Sequence, residues 1–203
     1  MLTANGLLDN TPLIKTADHG EMGLAHGGLR QKNFNFYEES LRVPLVYSNP
    51  VLFPRPQATK ALVSHVDFLP TLASIAGAPA AARADWQGVD YSHLLDNPRS
   101  RKRQHYVVFT YDDFQVRAGE GPYPKQPNHM VSIRERRWKL AKYYDPKGKA
   151  HPEWEMYDLK SDRLERKNLA RPRYKRTVEQ QRQFERLKRK LARVERTRLR
   201  PLS

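Results

Sequence analysis

The sequence lacks cysteine and long apolar runs. Without cysteine the chain can form neither a disulfide nor a thiolate site, and the redox compartment cannot be inferred from cysteine usage. No stretch approaches the roughly 18 apolar residues of a membrane-spanning helix. The first ten residues, MLTANGLLDN, show neither the basic region nor the apolar region of a signal peptide. We therefore expect a soluble chain with no targeting or transmembrane segment, and the cell compartment stays open.

Acidic residues are scarce beside basic ones, at 22 Asp and Glu against 37 Lys and Arg, which gives a net charge of +15. The excess is concentrated at the C-terminus, since residues 171–203 hold 13 of the basic residues and only three of the acidic ones. A basic tail of this kind is compatible with binding to nucleic acid or to an anionic membrane. With 203 residues, of which 38% are hydrophobic, the chain can bury the core of one or two domains.

Three zones with different patterns divide the chain. Residues 1–103 alternate short strands, around PLIKT and VPLVYS, with helical segments around FNFYEES and SHVDFLPTLASIAGAP. This order is typical of an α/β domain with a mainly parallel sheet. In the longest of these segments Ser64 is a candidate N-cap, a helix is expected over about 67–76, and Gly77 is expected to end it.

Residues 104–170 and 171–203 form the other two zones. HYVVFTY, MVSIRE, WKLAKYY and WEMYDL are aromatic or β-branched runs separated by Gly, Pro and Asp, which predicts a small antiparallel sheet. From about Tyr174 the chain reads as one basic amphipathic helix. Its predicted apolar stripe consists of Val178, Phe184, Leu187, Leu191 and Val194.

Ionisable residues concentrate just after the first strand, in TADHGEMGLAHGGLRQK. In open α/β sheets ligands lie beyond the carboxyl ends of the strands. Asp18 and His19 can turn toward one ion there, and Asp18 offers the hard oxygen that a divalent cation prefers. His26, Arg30 and Lys32 supply donors and positive charge for an anionic substrate group.

Three motifs in this sequence resemble the sulfatase family, within the alkaline phosphatase superfamily. TADHGEMGLAHGGLRQKNFNFYEESLRVPLVYSNP is similar to the stretch from the second metal-ligand pair through the substrate-binding Lys to the next core strand. SHVDFLPTLASIAGAP resembles the following helix, and MYDLKSDRLERKNLA resembles the family's ending. The resemblance covers roughly residues 2–195 and implies the C-terminal part of an alkaline-phosphatase-like sandwich.

The resemblance implies roles for the ionisable residues. Asp18 and His19 correspond to ligands of a divalent metal, usually calcium in this family, with manganese or magnesium as alternatives. Lys32 corresponds to the Lys that contacts the sulfate group. His26 corresponds to a motif His that either protonates the leaving group, binds sulfate, or holds a neighbouring group by a hydrogen bond. Arg30 is a candidate for flanking the substrate.

The sequence also departs from the family pattern. The formylglycine nucleophile of sulfatases derives from Cys or Ser in a Cys-x-Pro-x-Arg-like motif, and this chain contains no such motif. We therefore expect a fragment of a sulfatase that hydrolyses sulfate monoesters of a glycan or small molecule only in its full-length parent. A phosphate or phosphonate ester hydrolase is the close alternative. A polyanion-binding protein that uses the basic helix is the other one, and we expect no specific nucleic acid partner.

Overall fold

The computed structural model describes residues 1–30, 32–79, 81, 86–112 and 125–199. The chain divides into two compact units. Unit 1 consists of Met1–Gly20 and Leu41–His105, and unit 2 of Glu21–Ser40 and Tyr106–Ser203. Within the described ranges, no helix combines the length and the apolar character needed to cross a membrane.

The elements before residue 105 are short. In unit 1 they are β1 (Leu13–Lys15), β2 (Val46–Ser48), α3 (Phe68–Ile75) and α4 (His93–Asp96). The four-residue element α1 (Ala25–Gly28) belongs to unit 2, and α2 (Glu38–Leu41) includes the last residues of the first segment of unit 2 and the first residue of the next segment of unit 1. Single 3-10 turns occur at Thr3–Asn5, Leu8–Asn10 and His65–Asp67.

Strands β1 and β2 pair with each other, with Ile14 opposite Tyr47. The prediction that these two segments share a sheet is therefore confirmed. Their pairing is antiparallel, and the described ranges contain no parallel strand pair. The mainly parallel character of the larger sheet stays a prediction.

Helix α3 begins and ends as its sequence predicts. The backbone N–H of Ser64 donates to the carboxylate of Asp67 at 2.8 Å, which fixes the entry of the 3-10 turn before α3. Gly77 ends the helix with a φ of +73°, a conformation that is strained for any residue with a Cβ. Asp67 is 1% exposed and also accepts from the backbone N–H of Val89 and the amide of Gln104. Asp67 therefore serves as a hydrogen-bonding partner at the start of this helix.

Unit 2 is built on a four-stranded antiparallel meander, as predicted. Its strands are β3 (Tyr106–Tyr111), β4 (His129–Glu135), β5 (Trp138–Tyr144) and β6 (Glu153–Asp158), each paired with the next. Successive residues point to opposite faces of a strand, so each strand serves two layers. Most of the predicted Gly- and Pro-rich loop between β3 and β4 lies outside the described residues.

Helix α5 (Val178–Arg198) covers one face of this sheet. The side chain of Thr177 caps it by accepting from the N–H of Gln180 at 3.2 Å. The predicted stripe is confirmed at four positions and wrong at Val178, which is 89% exposed because it is the first residue of the helix and lies before the contact with the sheet. The buried cluster between helix and sheet comprises Val131, Ile133, Trp138, Leu140, Met156, Leu169, Phe184, Leu187, Leu191 and Val194.

The segment MYDLKSDRLERKNLA, which includes the end of β6 and the residues after it, is held to the sheet by hydrogen bonds. The side chain of Asn168 accepts from the N–H groups of Met156 and Ala170 and donates to the carbonyl of Trp154. Two hydrogen bonds of 2.8 Å join Arg137 to Asp158 at the end of β6. The Asn in NLA and the Asp in MYDL therefore hold the turn that leads into α5.

Candidate functional site

Asp18 and His19 lie in a bend that begins three residues after β1. Nε2 of His19 is 3.3 Å from Oδ2 of Asp18, and Nδ1 of His19 donates to the carbonyl of Gly20 at 2.7 Å. The Asp18 side chain is 84% exposed and that of His19 is 39% exposed. The two side chains that the sequence singles out as metal ligands are thus adjacent, oriented toward each other and open to solvent.

The chemistry of this pair fits a divalent cation. Because Nδ1 carries the proton donated to Gly20, Nε2 is the nitrogen left to bind a proton or a metal ion, and it faces a carboxylate oxygen. In a metal-binding His, the ring nitrogen that does not bind the metal usually donates its N–H to a carbonyl, a carboxylate or water. Across the described ranges no group of three or more His, Asp and Glu side chains could hold a metal. The pair would therefore contribute two ligands to a site that needs others.

His65 fixes the approach to this bend. Its Nε2–H donates to the backbone carbonyl of Ala17 at 2.9 Å, which joins the residue before Asp18 to the turn that starts α3. No motif in the sequence marks this role of His65. A contact across 48 positions leaves no local pattern from which it could be found.

His26 lies in α1, a turn that requires positive φ at several positions. The φ angles are +52° at His26, +85° at Gly27 and +100° at Gly28, and the two glycines adopt them without the strain a Cβ would add. The imidazole stacks on the ring of Tyr37, with centroids 3.6 Å apart, and Nε2 lies 3.3 Å from Oε2 of Glu39. The His26 side chain is only 10% exposed, because the stacked Tyr37 ring and the Glu39 carboxylate both lie against it.

Arg30 and Lys32 are the cations of the same segment. Arg30 is exposed and Lys32 is partly buried. Neither side chain makes a hydrogen bond or ion pair to any other residue that the structure describes, so their charges remain available to an anion. Asp18 and His19 belong to unit 1, whereas His26, Arg30 and Lys32 belong to unit 2.

A buried ion-pair network anchors this segment to the second face of the meander. Nζ of Lys139, on β5, lies 2.6 Å from Oε1 of Glu165, 3.1 Å from Oε1 of Glu38 and 2.6 Å from the carbonyl of Phe36. The side chains of Lys139 and Glu165 are fully buried. Arg134 completes the network through two hydrogen bonds to the Glu38 carboxylate, of 2.8 and 3.2 Å. The positive charges of Lys139 and Arg134 therefore balance the negative charges of Glu38 and Glu165.

The two carboxylates of the network have pKa values shifted in opposite directions. Burial alone would raise the pKa of Glu38, but the hydrogen bonds and charges of Arg134 and Lys139 outweigh it and leave the pKa below its usual value. Burial raises the pKa of Glu165, and Lys139 opposes that rise without cancelling it. Oε2 of Glu165 also accepts the backbone N–H of Glu38 at 2.6 Å. Glu38 is thus the firmly ionised member, and it lies six residues after Lys32.

A second polar cluster lies beside the network. The hydroxyls of Tyr143 and Tyr157 lie 3.4 and 3.3 Å from Oε2 of Glu155 and donate to it. Burial raises the pKa of Glu155, and it also raises the pKa of Tyr37, whose ring carries His26. Tyr37 packs against Tyr157 with centroids 6.0 Å apart. The stacking partner of His26 is therefore itself held by the sheet.

A family model described as N-sulphoglucosamine sulphohydrolase, C-terminal, matches residues 26–196. The chain is 31% identical to a Delta 4,5-hexuronate-2-O-sulfatase of Bacteroides thetaiotaomicron, over 85% of this chain and 33% of the relative. It is 34% identical to a choline-sulfatase of Rhizobium meliloti, over 83% of this chain and 29% of the relative. The chain thus spans about a third of the length of these relatives.

The fold is shared with solved sulfatase structures. One structure, in complex with its substrate D-glucosamine-2-N,6-O-disulfate, superposes with a TM-score of 0.76 at 26% identity, covering 96% of this chain and 36% of that one. A phosphonate monoester hydrolase from Silicibacter pomeroyi shares the fold at 20% identity and a TM-score of 0.71, over 96% of this chain and 36% of that one. Given the match over residues 26–196, this chain belongs to the sulfatase family and corresponds to the family's C-terminal portion.

Proposed function

We propose that this chain is the C-terminal part of an enzyme that hydrolyses sulfate monoesters of a sugar or another small molecule. The observation that carries the proposal is the family match over 171 of the 203 residues, from 26 to 196. The relatives named above act on hexuronate, choline or glucosamine sulfates according to their names. Their common element is a sulfate ester, and the group that carries it differs.

In this proposal Asp18 and His19 hold a divalent cation, with calcium favoured and manganese or magnesium as alternatives. A bound cation would supply positive charge that polarises a sulfuryl oxygen and stabilises charge as the ester bond breaks. The support is the donor set, since a carboxylate oxygen and an imidazole nitrogen converge to 3.3 Å beside an anchored Nδ1–H. Two adjacent ligands leave most of the coordination shell to water or to other residues.

Lys32 takes the role of binding the sulfate group, with Arg30 flanking the substrate. Cations placed where charge develops are the main electrostatic aid to such a transfer. His26 has one ring face stacked on Tyr37 and Nε2 directed at Glu39, and this geometry favours a hydrogen-bonding role beside the sulfate site over direct proton transfer.

The close alternative is hydrolysis of a phosphate or phosphonate ester. The likeness to phosphonate monoester hydrolases, at 20% and 23% identity, supports a shared fold alone. The curated relatives at 31% and 34% identity are both sulfatases, and this difference favours sulfate.

Binding experiments on the chain itself test the proposed residues. Calcium titrated into ¹⁵N-labelled chain should shift amide resonances around Asp18–Gly20, with an affinity on the order of 10⁻³ M because only two ligands are supplied. Asp18→Ala should abolish the shifts, whereas Asp9→Ala, at another exposed acid of unit 1, should preserve them. Sulfate should shift resonances around Lys32 in the parent chain and in Lys160→Ala, but not in Lys32→Ala. Metal-induced shifts that persist in Asp18→Ala would overturn the assignment of this ligand.

A further inference from the structure

The outer face of α5 carries a row of exposed arginines. Arg182, Arg189, Arg193 and Arg196 are all exposed. They are separated by seven, four and three residues, so at 3.6 residues per turn they share one side of the helix. At 1.5 Å per residue the row extends for about 21 Å. We call these four residues the arginine row.

Other basic residues of α5 are engaged in holding the helix to the sheet. Arg186 and Lys190 both bind the carboxylate of Glu135 on β4, at 2.6 to 2.9 Å. Burial would raise the pKa of Glu135, but Arg186 and Lys190 outweigh it and hold the pKa below its usual value. The single negative charge of Glu135 offsets part of the charge of these two cations, which serve the fold.

The centre of the arginine row has no such partner. The side chains of Arg189 and Arg193 make no hydrogen bond, ion pair or ring contact with any residue in the described part of the chain, although the backbone carbonyl of Arg193 accepts from the Thr197 hydroxyl at 2.9 Å. Arg182 pairs with Glu179 at 2.5 Å, but both side chains are largely exposed, and a pair of this kind contributes little. The acid nearest to Arg193 in sequence, Glu195, is held by Lys142 of β5 at 2.9 Å. Positive charge at the centre of the row is thus uncompensated.

We infer that the arginine row is a docking surface for a sulfated glycan chain. The inference rests on the proposed function, because it places the sulfate ester of that proposal on a polymer. The guanidinium groups of Arg189 and Arg193, at the centre of the row, each offer a planar fork of donors that matches the oxygens of a sulfate group, and the docked helix holds them in a fixed line. A linear polyanion can contact several of them at once, and such contacts add through counterion release.

The composition of the face favours a glycan over single-stranded nucleic acid. Proteins that bind single strands combine positive charge with exposed aromatic rings on which bases stack. The aromatic residue of α5, Phe184, is 8% exposed and packs edge-on against Trp154. The arginine row therefore offers charge without a stacking surface.

The test measures binding of the full chain to a sulfated heparin oligosaccharide by calorimetry at several salt concentrations. Arg189→Gln/Arg193→Gln should weaken binding about tenfold near physiological salt and lower the salt slope by about 1 for each lost contact. The matched control Arg171→Gln/Lys175→Gln removes the same charge from exposed positions outside α5. It should stay within about twofold of the parent. Gln keeps the helix propensity of Arg close to unchanged, and circular dichroism checks the fold.

Each other result overturns the inference. An equal loss in the control variant would show that net charge alone drives binding. Equal affinity for the desulfated oligosaccharide would remove the role of sulfate. Tighter binding of duplex DNA of matched length would assign the row to nucleic acid. The proposed sulfate site is measured separately, by the resonance shifts that inorganic sulfate causes around Lys32, so failure of that site and failure of the arginine row produce different patterns.

Discussion

Replacing Lys139 by Met should destabilise unit 2 strongly, because it removes the one ammonium that touches both carboxylates of the buried network. The variant keeps most of the apolar stem, whereas the cation–π contact of Nζ with the Phe36 ring, at 4.7 Å, is lost with the ammonium. The main change is in the charge balance. Glu165 is fully buried and loses its partner at 2.6 Å, while Glu38 keeps Arg134.

The expected cost is about 3–5 kcal/mol, the range for stripping one partner from a buried ion pair. A second substitution, Glu165→Gln, separates this electrostatic cost from loss of packing. Gln removes the stranded charge and retains an oxygen that can accept the backbone N–H of Glu38. We therefore expect Lys139→Met/Glu165→Gln to recover at least about 2 kcal/mol of the loss.

The assay is urea unfolding followed by tryptophan fluorescence. Trp138 and Trp154 belong to unit 2, and a loss of this size should lower the midpoint by about 1–3 M for typical urea slopes. Hydrogen exchange at residues 32–38 should also accelerate, since Phe36 and Glu38 lose their anchor. A cost below about 1 kcal/mol, or a double variant no more stable than Lys139→Met, would refute the proposed charge balance.

Three further outcomes are expected. Leu191→Asp should cost about 4 kcal/mol in urea unfolding because it buries a charge under α5, whereas Arg189→Gln should stay within about 0.5 kcal/mol; equal tolerance of both would mean that the helix does not dock. Glu155→Gln should stabilise the fold at neutral pH. The raised pKa means that Glu155 binds its proton more tightly in the folded than in the unfolded chain, so the parent protein loses stability as the pH rises above the pKa of Glu155 in the unfolded chain. Below that pKa the variant should be no more stable than the parent. A gain in stability that does not depend on pH would contradict this. The chain alone should hydrolyse neither aryl sulfate nor aryl phosphate with excess calcium, manganese or magnesium, because the resemblance implies a formylglycine and the sequence has no Cys-x-Pro-x-Arg-like motif from which it could form. Turnover that Asp18→Ala abolished would disprove this.

Local pattern accounts for the elements that could be predicted. The three- and four-residue spacing from Phe184 to Val194 marks the buried side of α5, and alternation within MVSIRE and WKLAKYY marks the meander. The same spacing includes Val178 wrongly, because periodicity does not show where along a helix the contact with a sheet begins. The antiparallel pairing of β1 and β2 could not be predicted either, because the sequence of a short strand does not show which strand it pairs with or in which direction.

The candidate site, too, could be predicted only in part from the sequence. The closeness of the Asp18 and His19 side chains could be predicted because the two residues are adjacent and lie shortly after a strand, whereas their role as metal ligands stays a prediction. The surroundings of His26 could not, because its contact with Glu39 depends on a turn with positive φ and on a residue 13 positions away. Nothing in the sequence marks Lys139 as the centre of a buried network. Its partners lie 26 and 101 positions away, at Glu165 and Glu38, and only the fold brings them together.

The most direct test of the central claim is an aryl sulfate assay of the protein encoded by the reading frame extended upstream of Met1. We expect an in-frame Cys-x-Pro-x-Arg-like segment there and metal-dependent hydrolysis of the sulfate ester. Asp18→Ala and Lys32→Ala should each reduce turnover at least about a hundredfold, as expected for groups that stabilise developing charge, while Lys160→Ala should not. Hydrolysis of a phosphonate monoester with the sulfate ester untouched, or full activity in Asp18→Ala, would contradict the account.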